Sequence, residues 1–294
     1  MKKYSIIFSV ILLLLCPFFV CASGIGFLEV HVIDVGQGDA ILLRAPSGET
    51  MLVDSGNLSA GYHVERYLRD QGISTLGTVV ITHMHPDHVG GLFRLVPDMS
   101  VKKIYDNGSI LDGNDFWEEY INLSKKLGLE RKILQKGDTL AFGNVDITVL
   151  SPSEPLTGNM NADSLVMKVS YHDVSFMLTG DMNKTSEHHL VGGSIDLKSQ
   201  VLKVGHHGAD DATSEEFLDA VSPSLAVISV GQGNPRGYPG DKTLSLLKKK
   251  GVHVYRTDRD GTVIVQTDGT TLFVDLPERH MNETRKIEYG CNIE

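Results

Sequence analysis

The stretch that most limits what this chain can fold into is residues 83–88, His-Met-His-Pro-Asp-His, which follow directly on the run Thr78-Val-Val-Ile-Thr82. Three imidazoles and a carboxylate on a turn leaving a short β-branched strand make a poor core and a good metal site. The alternative is a solvated surface cluster. Imidazole is a borderline ligand and carboxylate a hard one, so the mixture suits zinc, manganese or iron better than calcium or magnesium. Strand alternation lets His83 and His85 point the same way, and Pro86 bends the chain so that Asp87 and His88 face a second ion. The setting such a motif requires is a strand running into a loop.

Three other strand ends finish in the same chemistry. Met51-Leu-Val-Asp54 ends in a carboxylate placed to orient a ligating histidine from behind. Met177-Leu-Thr-Gly180-Asp181 ends in a carboxylate able to bridge two cations and reduce their mutual repulsion. Leu202-Lys-Val-Gly205-His206-His207-Gly208 ends in a histidine pair flanked by glycines, which allow close backbone approach. Any one of these alone reads as a turn former. Four of them together are a constellation.

The rest of the chain can build a scaffold around such a site. Its 294 residues, 41% hydrophobic, suffice for a full core, as one large domain or two similar halves. Leu28–Val35, Ala40–Ala45 and Met51–Asp54 read as strands, and Ala60–Gln71 and Asp115–Leu127 have helical spacing. Val145–Leu150, Leu165–Tyr171 and Val174–Thr179 form a second antiparallel set. A strand–helix alternation follows: Val201–Val204, helix Ser214–Ala220, Ala226–Val230, helix Lys242–Lys250 and Val252–Tyr255, before a last hairpin turning at Asp268-Gly269. That order predicts two mixed sheets covered by helices on their outer faces. There is no heptad repeat, low-complexity tract or solenoid period.

The N-terminus reads as an address. Lys2 and Lys3 precede the apolar stretch Tyr4 to Val20, and Val20-Cys21-Ala22 offers small residues to a signal peptidase, so 1–22 is expected to be a cleaved leader. The competing reading is an uncleaved anchor helix. Cleavage would remove Cys16 and Cys21 and leave Cys291, so no internal disulfide could form. The expected location is secreted or periplasmic, with no stable membrane insertion once the leader is gone. The domain is expected to span 23–277, followed by a loosely ordered polar tail over 278–294. The formal charge of −10 becomes −12 without the leader lysines (25 basic against 37 acidic residues), which argues against broad electrostatic capture of nucleic acid. It does not exclude a phosphate held by two cations.

These motifs resemble the metallo-β-lactamase superfamily and, within it, the hydrolase domain of the ComEC/Rec2 competence proteins. The resemblance runs from about Leu28 to Val274. It is carried by His31-Val-Ile-Asp-Val-Gly-Gln-Gly-Asp39, Thr82-His-Met-His-Pro-Asp-His-Val-Gly-Gly91, Leu178-Thr-Gly-Asp181, Val201-Leu-Lys-Val-Gly-His-His-Gly208 and Val254-Tyr-Arg-Thr-Asp258. It implies an α/β (α+β) fold, an αββα sandwich of two mixed β-sheets flanked by helices, with two divalent ions, Zn2+ or Mn2+, between the sheets. His83 and His85 would hold the first ion, Asp87, His88 and His206 the second, and Asp181 would bridge them with Asp54 behind. The family also implies DNA or another phosphodiester as substrate and a membrane channel as partner.

The chain departs from that pattern in three places. Many members supply a third histidine to the first ion ahead of the Gly-Asp motif. Here that segment is Asn159-Met-Asn-Ala-Asp163-Ser164, which makes Asp163 the candidate ligand. Ala209 follows His-His-Gly where a serine is usual, and Tyr238 stands where a later histidine is expected. In the implied chemistry two cations lower the pKa of water toward neutrality. Asp87 orients that water and accepts its proton. Lys203 or His207 helps stabilise the charge that develops on the substrate, although His207 can equally orient a ligand and Lys203 can be a solvated edge lysine. The six histidines His31, His63, His172, His188, His189 and His253 read as surface or packing residues. The function expected is a metal-dependent phosphodiesterase or nuclease. The alternatives are a hydrolase of another ester or lactone, and a non-catalytic module stabilised by metal.

Overall fold

The computed structural model describes residues 26–111 and 113–277, together with the backbone strand Ile287–Gly290. The expected leader with Cys16 and Cys21, and Cys291 in the tail, lie outside the described residues.

The chain runs through two sheets of the same design. β1 (Leu28–Val32), β2 (Ile41–Arg44) and β3 (Thr50–Val53) pair antiparallel, then helix α1 (Gly61–Asp70) crosses to β4 (Thr75–Val80), parallel to β3. Helices α2 (Pro86–Val89) and α3 (Leu92–Asp98) lead to β5 (Ser100–Asp106), and α4 (Asp115–Lys126) to β6 (Glu130–Ile133), both again parallel. The second sheet starts with antiparallel β7 (Thr139–Phe142), β8 (Val145–Ser151), β9 (Val166–Tyr171) and β10 (Val174–Leu178). It continues parallel: α5 (Lys184–Val191), β11 (Val201–Lys203), a tight turn at Gly205–Gly208, α6 (Glu215–Val221), β12 (Leu225–Ile228), α7 (Asp241–Lys249) and β13 (His253–Arg256). After α8 (Thr257–Asp260), β14 (Val263–Thr267), β15 (Thr271–Asp275) and β16 (Ile287–Gly290) return to the first sheet, β14 pairing with β1. Among the described residues the two sheets thus have nine and seven strands, and four residues of the expected loose tail form the outermost strand of the larger one.

Side-chain alternation sets the layers. Val174, Phe176 and Leu178 of β10 face Val30, Leu43 and Val53 of the first sheet in the core between the sheets, while Met177 points the other way under the helices of the second half. A third apolar cluster lies beneath α1, α3 and α4, with Leu52 and Val79 on its sheet side. This is an αββα sandwich. Helix starts are fixed locally, as where Asn114, Asn183 and Ser214 accept the backbone N–H of residues 117, 186 and 217. Among the described residues no helix is long and apolar enough to cross a membrane.

β5 and β6 carry little of the strand signal, because charged residues break the apolar alternation of Ser-Val-Lys-Lys-Ile-Tyr-Asp and Glu-Arg-Lys-Ile, and β7 is a run of only four residues. β6 and β7 end their sheets, and at the β6 edge solvent tolerates lysine and glutamate. α5 is likewise masked by polar residues, with only Ser186, Glu187 and Leu190 buried.

Candidate metal centre

Where each sheet changes from antiparallel to parallel, two adjacent strands end in polar loops. In the first half these are β3, ending before Asp54, and β4, ending before His83; in the second, β10 before Asp181 and β11 before His206 and His207. Ligand sites in open α/β sheets form at the carboxyl ends of strands at such junctions. Here the two junctions face each other, and their side chains converge in buried space.

Three groups of side chains have ligand atoms within 4.8 Å of one another: His83, His85 and Asp181; Asp87, His88 and His207; and Asp39, Asp54 and His88. In the first, His83 Nε2 is 2.9 Å from His85 Nδ1 and 3.8 Å from Asp181 Oδ2. In the second, His207 Nε2 is 3.5 Å from Asp87 Oδ2. Asp181 spans both, with Oδ2 3.2 Å from His88 Nε2 and Oδ1 3.5 Å from His207 Nε2. Gly180 before it has φ +51 and packs on Thr82 and Ser164, where a Cβ would be crowded at 3.1 Å.

The backs of the rings are held by protein. Asp54, at φ 57, accepts from His88 Nδ1 at 2.8 Å, from Thr82 N at 2.8 Å and from Thr82 Oγ1 at 2.7 Å. His83 Nδ1 lies 3.1 Å from Thr82 Oγ1 and 3.4 Å from Ser164 Oγ. His207 Nδ1 donates to Ser229 O at 3.0 Å. Each of these bonds fixes a ring with its Nε2 free to face the centre.

Electrostatics sort the imidazoles into two kinds. Burial pulls His83 well below the usual range and moves His85 in the same direction. Burial acts on His88 and His207 too, but Asp181, with Asp54 beside the first and Asp39 and Asp87 beside the second, lifts both well above it. Burial would raise the carboxyls of Asp181 and Asp87; the cationic rings outweigh it and hold both below their ordinary values. Carboxylates therefore outnumber cations in a dry pocket, and protons on two rings make up part of the deficit.

A divalent cation fits this donor set. His88 Nε2, His207 Nε2 and Asp181 Oδ1 are buried without a hydrogen-bond partner, and they face one another. Buried polar atoms without partners cost about 1–3 kcal/mol each, which ligation removes. Mixed imidazole and carboxylate donors suit zinc or manganese. Binding would displace the ring protons of His88 and His207.

Not every residue expected here takes part. His207, not His206, joins Asp87 and His88. Both histidines sit at positive φ (46 and 53), so period-2 alternation says nothing about which ring turns inward. His206 turns to the rim, where its Nδ1 meets Asp211 Oδ1 at 2.8 Å, its Nε2 lies 3.4 Å from Asn161 Nδ2 and its ring packs edge-on against Tyr238. Asp163, the candidate third ligand of the first ion, is turned into its own loop, accepting from Thr157 N, Thr157 Oγ1 and Gly158 N, each at 2.9 Å. Its neighbour Ser164 reaches the centre instead, accepting from Asp181 N at 3.2 Å.

Lys203 is no solvated edge lysine. β11 is flanked by β10 and β12, and residue 203 shares the inward face of Val201; the side chain is 1% exposed, with Nζ 2.7 Å from Asp39 Oδ2. Asp39 was not singled out as a site residue. The signal that could have found it is the Gly-Gln-Gly-Asp turn between two apolar strands, an acid held by glycines that admit close backbone contact. At Gly38 (φ +129) a Cβ would lie 2.2 Å from Asp87 O.

The model of the metallo-β-lactamase superfamily matches residues 33–232. The chain is 32% identical over 261 residues to ComE operon protein 3 of Bacillus subtilis (strain 168), covering 83% of this chain and 33% of that protein. It is 31% identical to competence protein ComA of Neisseria gonorrhoeae, covering 80% of this chain and 31% of that protein. It therefore spans about a third of the length of these relatives. Among solved structures, the metallo-β-lactamase fold protein YhfI from Bacillus subtilis superposes with a TM-score of 0.57 at 13% identity, covering 82% of this chain and all of that one.

Proposed function

The chain belongs to the metallo-β-lactamase superfamily, and from that premise we propose that it is an exported, metal-dependent phosphodiesterase that cleaves DNA. The observation that carries the reading is Asp181, whose two oxygens face His88 and His207 while it also belongs to the group of His83 and His85. One carboxylate between two donor groups suits a pair of cations, and paired cations suit phosphodiester cleavage. One of the similar proteins is named for competence, which supports DNA as the substrate class. The basic and apolar start of the sequence supports export.

Bound cations would supply Lewis acidity, polarising a phosphoryl oxygen and lowering the pKa of water. The protein's own part is positioning and proton traffic. Asp87 is partly open to solvent and ionised, with Oδ2 3.5 Å from His207 Nε2, so its carboxylate can orient a water and take its proton. Ser229 O and Asp54 hold His207 and His88 in place, which avoids reorganisation during the reaction. His206 and Tyr238 form a wall beside the centre.

The test is hydrolysis of single- and double-stranded DNA with added manganese or zinc, beside a generic phosphodiester, a lactone and a β-lactam. Cleavage of DNA that chelator and Asp87→Ala both abolish is the expected result. Turnover of the small phosphodiester alone would replace DNA by a small substrate, and lactone turnover alone would overturn phosphodiester chemistry.

A further inference from the structure

Lys203 and Asp39 form an ion pair that water does not reach, each side chain 1% exposed, at 2.7 Å. Taking two charges out of water costs several kcal/mol per ion, and apolar replacements of such pairs are often as stable or more so. Fold stability alone is therefore a weak reason for the pair. Its location gives a stronger one. Asp39 Oδ1 lies 3.5 Å from His207 Nδ1, and the same carboxylate is grouped with Asp54 and His88. Lys203 adds one more bond, donating to Val204 O at 3.0 Å, so the cation is tied to the strand that delivers the histidine pair.

The loop that carries Asp39 is knitted to the same parts. Asp39 N donates to Asp87 O at 3.2 Å, and Ser229 Oγ donates to Gly38 O at 2.6 Å. Ser229 in turn accepts from His207 Nδ1 through its carbonyl. One loop thus touches the Asp87 turn, the ring of His207 and the carbonyl that orients that ring.

We propose that Lys203 and Asp39 are a positioning pair for the metal centre. Lys203 holds an ionised Asp39 behind His207, so that His207 rather than His206 is the ring presented to the cation. The inference rests on the metal-binding half of the proposed function and is indifferent to the substrate. The neighbouring ring is captured in the opposite direction by Asp211, so two carboxylates on different elements sort two adjacent imidazoles.

The experiment titrates zinc and cobalt(II) into the metal-stripped full chain, reading equivalents bound, affinity against a competing chelator, and the visible spectrum of cobalt. Lys203→Met should weaken one equivalent by roughly 10–100-fold, the usual effect of removing an outer partner of a ligand. Because Lys203→Met leaves Asp39 buried without its counter-ion, the decisive protein is Lys203→Met/Asp39→Asn, which removes both charges. It should fold with near-normal thermal stability yet keep the metal deficit and an altered cobalt spectrum. His206→Ala should bind both equivalents normally. Wild-type affinity and spectrum in the double variant would reduce the pair to a structural one and overturn the proposal. So would loss of metal in His206→Ala with retention in His207→Ala. None of these readouts uses DNA, so an inactive nuclease and a failed positioning pair are distinguishable.

Discussion

The two halves of the sandwich repeat one plan, antiparallel strands that turn parallel through a helix, and they furnish the centre in opposite ways. The first half concentrates its donors: His83, His85, Asp87 and His88 lie in one loop after β4, and Asp54 at the neighbouring strand end stands behind His88. The second half disperses them, with Asp181 after β10 and His207 after β11 as single residues on separate loops. The equivalent strand-end acids also exchange roles, since Asp181 faces the donors of both groups and Asp54 only backs one ring. A local loop can gather ligands by spacing, whereas dispersed ligands depend on how the halves dock. Loss of Asp181 should therefore affect both groups, and loss of a single donor in the first half only one.

The largest expected effect tests the exchanged acids. Asp181→Ala should lose both equivalents of metal and all hydrolysis, whereas Asp54→Asn should weaken one equivalent by roughly 10–100-fold. Elemental analysis after dialysis distinguishes them, and equal losses would mean the two acids play equal parts. Next comes the proton traffic of the dense loop. Asp87→Ala should lower turnover by about 10²–10⁴-fold with the circular dichroism of the fold unchanged. Full turnover in that variant would remove Asp87 from the chemistry.

Two buried acids of the first half are each paired with a cation, Asp39 with Lys203 of the second half and Asp106 with Arg131 of its own sheet, and these sharpen the comparison on stability. Asp39 is opposed by burial but held down to about 2 from an ordinary 3.8, chiefly by Lys203. A depressed carboxyl stabilises the fold above its unfolded value and loses that contribution as pH falls toward the folded one. Asp39→Asn should thus cost about 3–5 kcal/mol near neutrality by leaving a buried charge alone. The gap to wild type should narrow by about 2 kcal/mol as pH drops from about 4 to about 2, measured by urea unfolding at stepped pH. A constant gap would show that the pair does not titrate as described.

The counterpart is Asp106 at the end of β5. It accepts from Arg131 Nε and Nη2 at 2.6 and 2.8 Å and from Tyr120 Oη at 2.7 Å, but the arginine is 26% exposed. Arg131→Lys, which breaks the paired bonds and keeps the charge, should cost only about 1–2 kcal/mol, because solvent reaches the lysine. A larger loss would make the pair within the first sheet as dependent on burial as the pair that joins the halves.

The same contrast explains what could be read from the sequence. His83, His85, Asp87 and His88 were legible because one short segment fixes their spacing, and the strand ends at Asp54 and Asp181 because apolar runs stop there. The choice between His206 and His207 was not, since both residues leave the strand at positive φ and the partners that separate the two rings, Asp211 for one and Ser229 O for the other, lie outside the motif. The orientation of Asp163 was not legible either, because the Thr157-Gly158 backbone that its carboxylate accepts from carries no signal in the spacing of the Gly-Asp motif. The buried lysine was ambiguous because a three-residue strand does not announce that it runs between two others.

The dispersal of donors has a further consequence for the chain as a polymer. His88 and Asp181 lie roughly a hundred residues apart, so a cation held between them closes a loop whose closure entropy is already large. Cysteine is confined to positions 16, 21 and 291, so the described residues hold none that could join these halves. The cation would act as a removable clasp between them. Chelation should accordingly raise the rate at which a protease nicks the seam between β6 and β7, where the chain passes from one sheet to the other.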